Sequence, residues 1–379
     1  MSYTRIPCTF MRGGTSNALV FRRGDLPDDE SRWPAIFLAA MGSPDPNKRQ
    51  LDGMGGGISS LSKVCVVGPP SRPDADVDYS FYQIGVADEI VDASGNCGNM
   101  SSAMGPFAFD EGMTTGADRE AAVRIHNTNT GKIIVSRFEV RDGTAAVSGN
   151  QAIDGVSGTA APIRLEFLDP GGAGTGHLLP ADGEAESVLD VPDIGKVTLS
   201  MVDAANPCVF LEPATVGKTG TEHPEALEAD EDFMKTMEDI RRAASVAMGI
   251  AETPEAAGGI PSIPKVAMVF LPTDYTLLSG QTMQADAFDI GVRMISIGNP
   301  HRAVPLTGGL CLGVAARLPG SLPARIARQR EGSLRIGHPS GLLEVDARIE
   351  DRNGTPHAVH GAVIRTARRL FEGHVLIPS

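Results

Sequence analysis

Residues 94–102 read Ser94-Gly95-Asn96-Cys97-Gly98-Asn99-Met100-Ser101-Ser102, a thiol at a glycine-flanked turn. A cysteine placed just ahead of a helix can carry a proton, because helix N-terminal N–H groups stabilise a thiolate and any bound anion. Met100, Ala103, Met104, Phe107 and Ala108 repeat at helical spacing behind it and predict an amphipathic helix. Residues 89–93 read as the strand in front. Strand, turn, thiol and helix in that order suit catalysis on a carboxylate. The plainer reading makes Cys97 a small buried residue, since free cysteines are among the most buried types.

Lys63 is the second candidate. It follows Gly55-Gly56-Gly57-Ile58-Ser59-Ser60-Leu61-Ser62 and precedes the apolar strand Val64-Cys65-Val66-Val67. A lysine opening a buried strand can lose hydration, and a neutral amine of that kind can take a proton from a carbon acid. The alternative is a solvated lysine at a strand end. The loop before it lacks the Gly-x-x-x-x-Gly-Lys-Ser/Thr spacing of a phosphate cradle, so nucleotide binding is not expected.

Other residues offer binding rather than chemistry. Arg12-Gly13-Gly14-Thr15-Ser16 supplies a guanidinium, hydroxyls and turn N–H groups for a carboxylate. Asn206-Pro207-Cys208 sits at a strand junction of the second half. His301 and His338 stand on loops with glycine or proline, where either could relay a proton or be structural. Asp45, Asp52, Asp76 and Asp78 have no metal-ligand pattern, and no Gly-x-Ser-x-Gly elbow is present.

The elements that must position these residues are mainly strands. They are expected at 5–10, 18–21, 64–67, 78–86, 122–126, 132–140, 145–148 and 163–168, with a hairpin at Asn127-Thr128-Asn129-Thr130-Gly131. A helix beginning near Pro34 should end before Gly42-Ser43-Pro44. The acidic, glycine-rich segment 170–187 is the expected boundary between domains 1–184 and 185–379. Beyond it strands are expected at 197–202, 208–211, 265–270, 335–337, 341–349 and 358–366. Helices are expected over 233–248 and, again beginning at glycines, over 307–317. The halves look alike: strands, a Gly-rich turn, one apolar helix. That pseudo-repeat predicts a cleft in which two helix starts hold the carboxylates of one small ligand. Gly98, Gly308 and Gly309 could equally serve tight turns and close packing.

A chain of 379 residues is long enough for two cores, and its 41% hydrophobic content is that of a soluble globular protein. No apolar run reaches membrane-spanning length, and Met1–Pro7 has no signal-peptide core. Five scattered cysteines predict reduced thiols in a cytoplasm. A net charge of −14 argues against nucleic acid and requires any attraction for an anion to be local.

Ordered motifs running almost end to end resemble the PrpF-type 2-methylaconitate isomerase family, which includes methylitaconate isomerase and 4-oxalomesaconate tautomerase. The likeness is carried by Arg12-Gly13-Gly14-Thr15-Ser16, Gly42-Ser43-Pro44-Asp45, Asp52-Gly53-Met54-Gly55-Gly56 with Ser62-Lys63, and Asp76-Val77-Asp78-Tyr79. It continues through Asn96-Cys97-Gly98-Asn99, Gly105-Pro106-Phe107-Ala108, Asn127-Thr128-Asn129-Thr130-Gly131-Lys132, Gly337-His338-Pro339-Ser340-Gly341 and Arg365-Thr366-Ala367-Arg368.

The resemblance implies an α+β fold of two diaminopimelate epimerase-like domains, each a strongly curved, mainly antiparallel sheet around a central helix, with the final strand 371–379 crossing back to the first domain. It implies Lys63 and Cys97 as the catalytic pair. The implied substrate contacts are Arg12, Thr15, Ser16, Ser62, Gln83, Asn96, Gly98, Asn99, Asn206, His301, Thr307, Gly308 and Ser340. No metal or cofactor is implied. The substrate would be a small anionic unsaturated di- or tricarboxylate, and the protein a cytoplasmic homodimer without nucleic-acid or membrane partners. An amino-acid epimerase of this fold needs a second cysteine near Pro305-Leu306-Thr307, where this sequence has none; Cys311 lies too far along. Two rivals remain beside the isomerase: an amino-acid epimerase or racemase, and a non-catalytic polycarboxylate-binding accessory of a dehydratase. A cysteine hydrolase would need a histidine partner that the sequence near Cys97 does not supply.

Overall fold

A computed structural model describes residues 3–93, 95–114, 119–192, 194–296, 298–329 and 331–378. Ser94, the first residue of the Cys97 turn, lies outside the described residues. Contacts divide the chain into two units, Met1–Glu166 with Ile364–Ser379, and Phe167–Val363. The first crossing precedes the acidic segment expected to carry it, and the second returns the last strand to the first unit.

The first unit opens with a hairpin, β1 (Tyr3–Gly13) and β2 (Ser16–Arg22). Helix α1 (Trp33–Met41) follows, with proline in its first turn and Gly42 closing it at φ 73°, the left-handed conformation glycine adopts at a helix end. Then come β3 (Lys63–Gly68), β4 (Val77–Ile84), β5 (Val91–Asp92) and α2 (Gly98–Asp110). The hairpin β6 (Glu120–Asn127) and β7 (Lys132–Arg141) turns where Asn127 and Thr130 hydrogen-bond each other. Strands β8 (Thr144–Ala145) and β9 (Ile163–Leu168) follow. Across β1–β2–β3–β4–β6–β7 the pairings run antiparallel, parallel, antiparallel, parallel, antiparallel.

The second unit repeats that order. Its strands are β10 (Ser187–Val191), β11 (Gly195–Asp203) and β12 (Pro207–Leu211), then helices α3 (Pro224–Glu228), α4 (Glu231–Ala247) and α5 (Pro254–Gly258). Strand β13 (Lys265–Phe270), the short pair β14 (Tyr275–Thr276) and β15 (Thr282–Met283), β16 (Ile290–Ser296) and β17 (Asn299–Pro300) lead to α6 (Leu306–Ala315) and α7 (Leu322–Ile326). Strands β18 (Leu334–His338), β19 (Gly341–Arg352) and β20 (Thr355–Arg365) close it. Across β11–β12–β13–β16–β18–β19 the senses are again antiparallel, parallel, antiparallel, parallel, antiparallel. The last strand, β21 (Ala367–Pro378), pairs with β1 of the first unit.

Each unit has one buried helix, α2 in the first and α6 in the second, and another helix, α1 or α4, over a further apolar cluster. α2 was expected to be amphipathic, but all its residues except Asn99 and Asp110 are buried. Ser101 and Ser102 satisfy their hydroxyls on the carbonyls of Cys97 and Asn99, which lets polar side chains sit in a core helix. Every residue of α6 is buried as well. A helix apolar on all sides must be wrapped on all sides. Helices α1 and α4 each cover a separate apolar cluster, around Trp33, Phe37, Leu19 and Val64 in one unit and Phe233, Met237, Val209 and Val266 in the other.

Candidate active site

Lys63 is the first residue of β3 and lies in register with Gln83 of β4. Its side chain is only 7% exposed, its ammonium donates to Gln83 Oε1, and Nζ lies 5.3 Å from the centroid of the Phe81 ring. Among the described residues no carboxylate forms an ion pair with it. Gln83 in turn donates through Nε2 to the carbonyls of Ser59 and Ser62, each at 3.0 Å, so one amide ties the lysine to the glycine-rich loop. That loop is anchored from within by Gln50, 1% exposed, whose Oε1 accepts from Ser62 Oγ (2.6 Å) and Gly57 N (2.8 Å). Ser62 therefore spends its hydroxyl on Gln50 and on the Ile58 carbonyl. Sequence reasoning did not single out Gln50.

Cys97 occupies the N-cap position of α2 and makes no side-chain cap bond, which leaves the first-turn N–H groups open to an anion. It is the half-exposed cysteine of a unit whose other thiols, Cys8 and Cys65, are buried. Burial pushes the Cys65 thiol well above its ordinary range, with the nearby Cys97 adding to the rise and Lys63 opposing it. Cys65 is thus an electrostatic neighbour of both candidate catalytic groups. Its Sγ lies 3.8 Å from the hydroxyl of Tyr79, another fully buried group that burial holds protonated. Behind Cys97 the wall is neutral.

The β1–β2 turn reaches the start of α2. Asn99 Nδ2 donates to Thr15 Oγ1 at 3.1 Å, and a Cβ at Gly14, whose φ is +51°, would fall 2.3 Å from Asn99 Oδ1. Asn96 Oδ1 is 3.5 Å from Ser101 Oγ, and Ser16 is buried in β2. Arg12 donates to the carbonyls of Gly14 (2.8 Å) and Thr366 (3.0 Å). Burial and then the charge of Arg368 lower its pKa. Among the described residues neither arginine pairs with a carboxylate. Arg12 and Arg368 are register partners on β1 and β21, two cations near the open start of α2 that can attract an anion. Arg368 was visible in the sequence only as part of a motif.

The second unit holds the remaining candidates. Asn206 follows Ala205, which has φ 63°, in the β11–β12 turn, and its Oδ1 is buried without a partner. Thr307 and Gly308 lie in the first turn of α6, whose N-cap is Pro305, the place that Cys97 holds on α2. Cys311 faces away, donating to the Val202 carbonyl at 3.2 Å. A Cβ at Gly308 would come within 2.4 Å of Met294 Sδ, so this glycine also lets helix and strand approach closely. Ser340 donates through its hydroxyl to the Arg302 carbonyl at 2.6 Å, and its backbone N–H donates to Nδ1 of His338, which is 4% exposed.

Sequence reasoning missed Lys265, although it opens a buried apolar strand as Lys63 does. β3 runs parallel to β2 and β13 runs parallel to β12, so the two lysines stand at equivalent places of the repeat. Lys265 is in register with Cys208, and burial lowers its pKa. Burial, then the charge of Lys265, pushes the His301 imidazole down to about 4. His301 is therefore neutral near pH 7 and can offer a hydrogen bond but no charge.

A sheet around a buried helix, built twice, with one thiol at a helix start and one lysine at a strand start, defines an epimerase-fold protein. A probable proline racemase from Agrobacterium radiobacter, 13% identical, shares this fold at a TM-score of 0.55 over 97% of this chain and 92% of that one. The chain belongs to the PrpF family, whose profile, described as PrpF protein, matches residues 3–378. It is 41% identical to a 3-methylitaconate isomerase from Eubacterium barkeri over 98% of this chain and 97% of that one. It is 36% identical to a 2-methyl-aconitate isomerase from Shewanella oneidensis (99% and 97% covered) and to a (4E)-oxalomesaconate Delta-isomerase from a Novosphingobium species (98% and 97%). The crystal structure of a methylitaconate-delta-isomerase, 40% identical, superposes at a TM-score of 0.88 over 100% of this chain and 96% of that one. The protein is an isomerase.

Proposed function

We propose that this isomerase moves a double bond by 1,3-allylic proton transfer, or interconverts cis and trans forms, in a small unsaturated polycarboxylate such as methylitaconate, 2-methylaconitate or 4-oxalomesaconate. The observation that carries this reading is the clustering of Lys63 and the half-exposed Cys97 around one buried neutral thiol, next to an open helix start. A carbon beside an alkene conjugated with a carboxylate is a weak acid, so its anion needs stabilisation where charge develops. The first turn of α2, with Arg12 and Arg368 nearby, supports such a dienolate. Lys63, when neutral, takes the allylic proton; Cys97 or Lys63 returns one at the far carbon, or at the same carbon after rotation. The reaction has no redox step and no group transfer, so acid–base groups and an anion site suffice.

Pro305 at the start of α6 speaks against a two-thiol racemase, since the second proton carrier would stand there. Five free cysteines support a reducing, cytoplasmic setting, and a homodimer belongs to the same proposal. Among the described residues no helix is long and apolar enough to cross a membrane.

Proton NMR in deuterated water tests the reading, with the three substrates and trans-aconitate offered in turn. Deuterium should enter an allylic carbon with a shifted or inverted double bond. Lys63→Met and Cys97→Ser should each lower kcat by roughly 10²–10⁴-fold, the range of general acid–base catalysis. Exchange with none of the four by protein that still binds one would leave only the accessory role.

A further inference from the structure

We propose that Arg365 binds a carboxylate of the substrate, in competition with the exposed side chain of Asp154. This inference rests on the isomerase reading above and adds a binding residue to it. Arg365 ends β20 and belongs to the first unit, which the chain re-enters at Ile364. The next residue, Thr366, is 1% exposed, and its carbonyl accepts from Gly14 N (2.9 Å) and Arg12 Nη1 (3.0 Å). The backbone therefore holds Arg365 against the β1–β2 turn, which reaches the start of α2.

Arg365 stands apart in how little of its guanidinium is used. Two other deeply set arginines are well engaged. Arg241, 3% exposed, donates to Glu238 and to the carbonyls of Ala257, Ile260 and Ile263. Arg293, 2% exposed, donates to the carbonyls of Glu222 and Val292 and lies over the rings of Tyr275 and Phe270. A guanidinium has five N–H donors in a fixed fork. Among the described residues that of Arg365 donates one bond, from Nη1 to the carbonyl of its neighbour Ile364 at 2.9 Å. The residue is half-buried, and burial pulls its pKa down to about 10, with the charge of Asp154 opposing the fall. A cation set so deep, with most of its fork unused, is costly to keep for structure alone. It is suited to two parallel bonds with a carboxylate.

Asp154 comes to it on a loop pinned at its base. Gln151 and Ala160 exchange both backbone bonds at 3.0 Å, and Ala161 N donates to the Val147 carbonyl at 3.0 Å. Val156 N donates to the Ile153 carbonyl at 3.2 Å, which turns the chain at Asp154 and Gly155. Gly155 has φ 87°, and a Cβ there would lie 3.3 Å from Thr15 Cγ2. Thr15 in turn accepts from Asn99 Nδ2, in the first turn of α2. The loop tip thus meets the β1–β2 turn through Gly155 and balances Arg365 through Asp154. A substrate carboxylate and Asp154 carry like charges and seek the same cation, so Asp154 holds down the affinity for the anion it resembles.

Calorimetric titration of the full chain tests the assignment, with trans-aconitate and with tricarballylate, a saturated tricarboxylate that has no double bond to move. Arg365→Gln should weaken binding of both by about tenfold or more, the loss of a charge-assisted pair of bonds. Arg365→Lys keeps the charge without the fork and should recover part of that loss. Asp154→Asn, at an exposed position, should tighten binding by about twofold or more. In turnover Arg365→Lys should raise KM and leave kcat within a few-fold, a split that a purely structural arginine would not produce. Unchanged Trp33 emission would show that each variant is folded, and if Arg365→Gln fails to fold, the other two variants carry the test. A wild type that binds neither acid, a Kd unmoved by either Arg365 substitution, or weaker binding in Asp154→Asn would each overturn the proposal. Binding of tricarballylate that depends on Arg365, without turnover of any substrate, would uphold the assignment and sink the reaction proposed above instead.

Discussion

At the scale of single residues, the corner occupied by Lys265 and His301 carries a pH dependence with a defined sign. The His301 pKa is pushed from 6.5 in an unfolded chain to about 4, by burial and then by Lys265. The folded state therefore resists a proton that the unfolded state accepts. Stability from this source is complete above pH 6.5 and is lost as pH falls towards 4. The loss approaches roughly 2–3 kcal/mol at the acid end. Urea unfolding of wild type and His301→Gln at pH 7 and pH 4.5 measures it. The wild type should lose more between the two pH values than the variant, and equal losses would refute the assignment. Neutral near pH 7, His301 should contribute no limb to the pH–rate profile between pH 5 and 8. Lys63 drew notice because a glycine-rich loop precedes it; Lys265, behind Ile263-Pro264, has the same position without that signpost.

Elements transmit such placement through close contacts. A Cβ at Gly13 would meet the Asn99 carbonyl oxygen at 2.7 Å and Met100 Cα at 3.0 Å, both backbone atoms of the first turn of α2. Gly13 does not have a positive φ, so alanine is tolerated locally and the collision must be relieved by moving the helix start that carries Cys97. A misplacement of about 1 Å can cost on the order of 10²-fold in rate. Gly13→Ala should therefore lower kcat/KM far more than it lowers the melting temperature. Loss of both together would mean the glycine serves folding alone. Much at this scale was legible in the sequence, because turn chemistry is local: Gly42 ends α1, and Asn127 to Gly131 turns β6 into β7. Strand β16 was not, since its apolar alternation is broken by Arg293. That residue is 2% exposed, donates to the Glu222 carbonyl at 2.8 Å and lies 4.7 Å from the Tyr275 ring, partners distant in sequence. α2 was found but misjudged, because burial on every side depends on a sheet assembled from strands far apart in the chain. The residues behind the site, Gln50, Tyr79 and Cys65, escaped for the same reason.

The whole molecule repeats one arrangement twice, yet the chain does not divide into consecutive halves. Strand β21 completes the unit that β1 began, and its Val375 and Ile377 join the apolar cluster beneath α1 with Ile6, Phe37 and Trp33. Ending the chain after Arg365 would strip β1 of a partner along its full length and open that cluster to water. β1 is itself the outer strand left behind, so the damage should be cooperative within the first unit rather than a frayed end. Trp33, the single tryptophan of the sequence, is 3% exposed and reports on this unit alone. Its emission should shift to the red in the truncated chain, and activity should vanish, because Lys63 and Cys97 both stand on this unit. The helical signal of α4 should survive, since its cluster is built from second-unit strands. A truncated chain with unshifted Trp33 emission and full activity would show that β21 is dispensable to the fold.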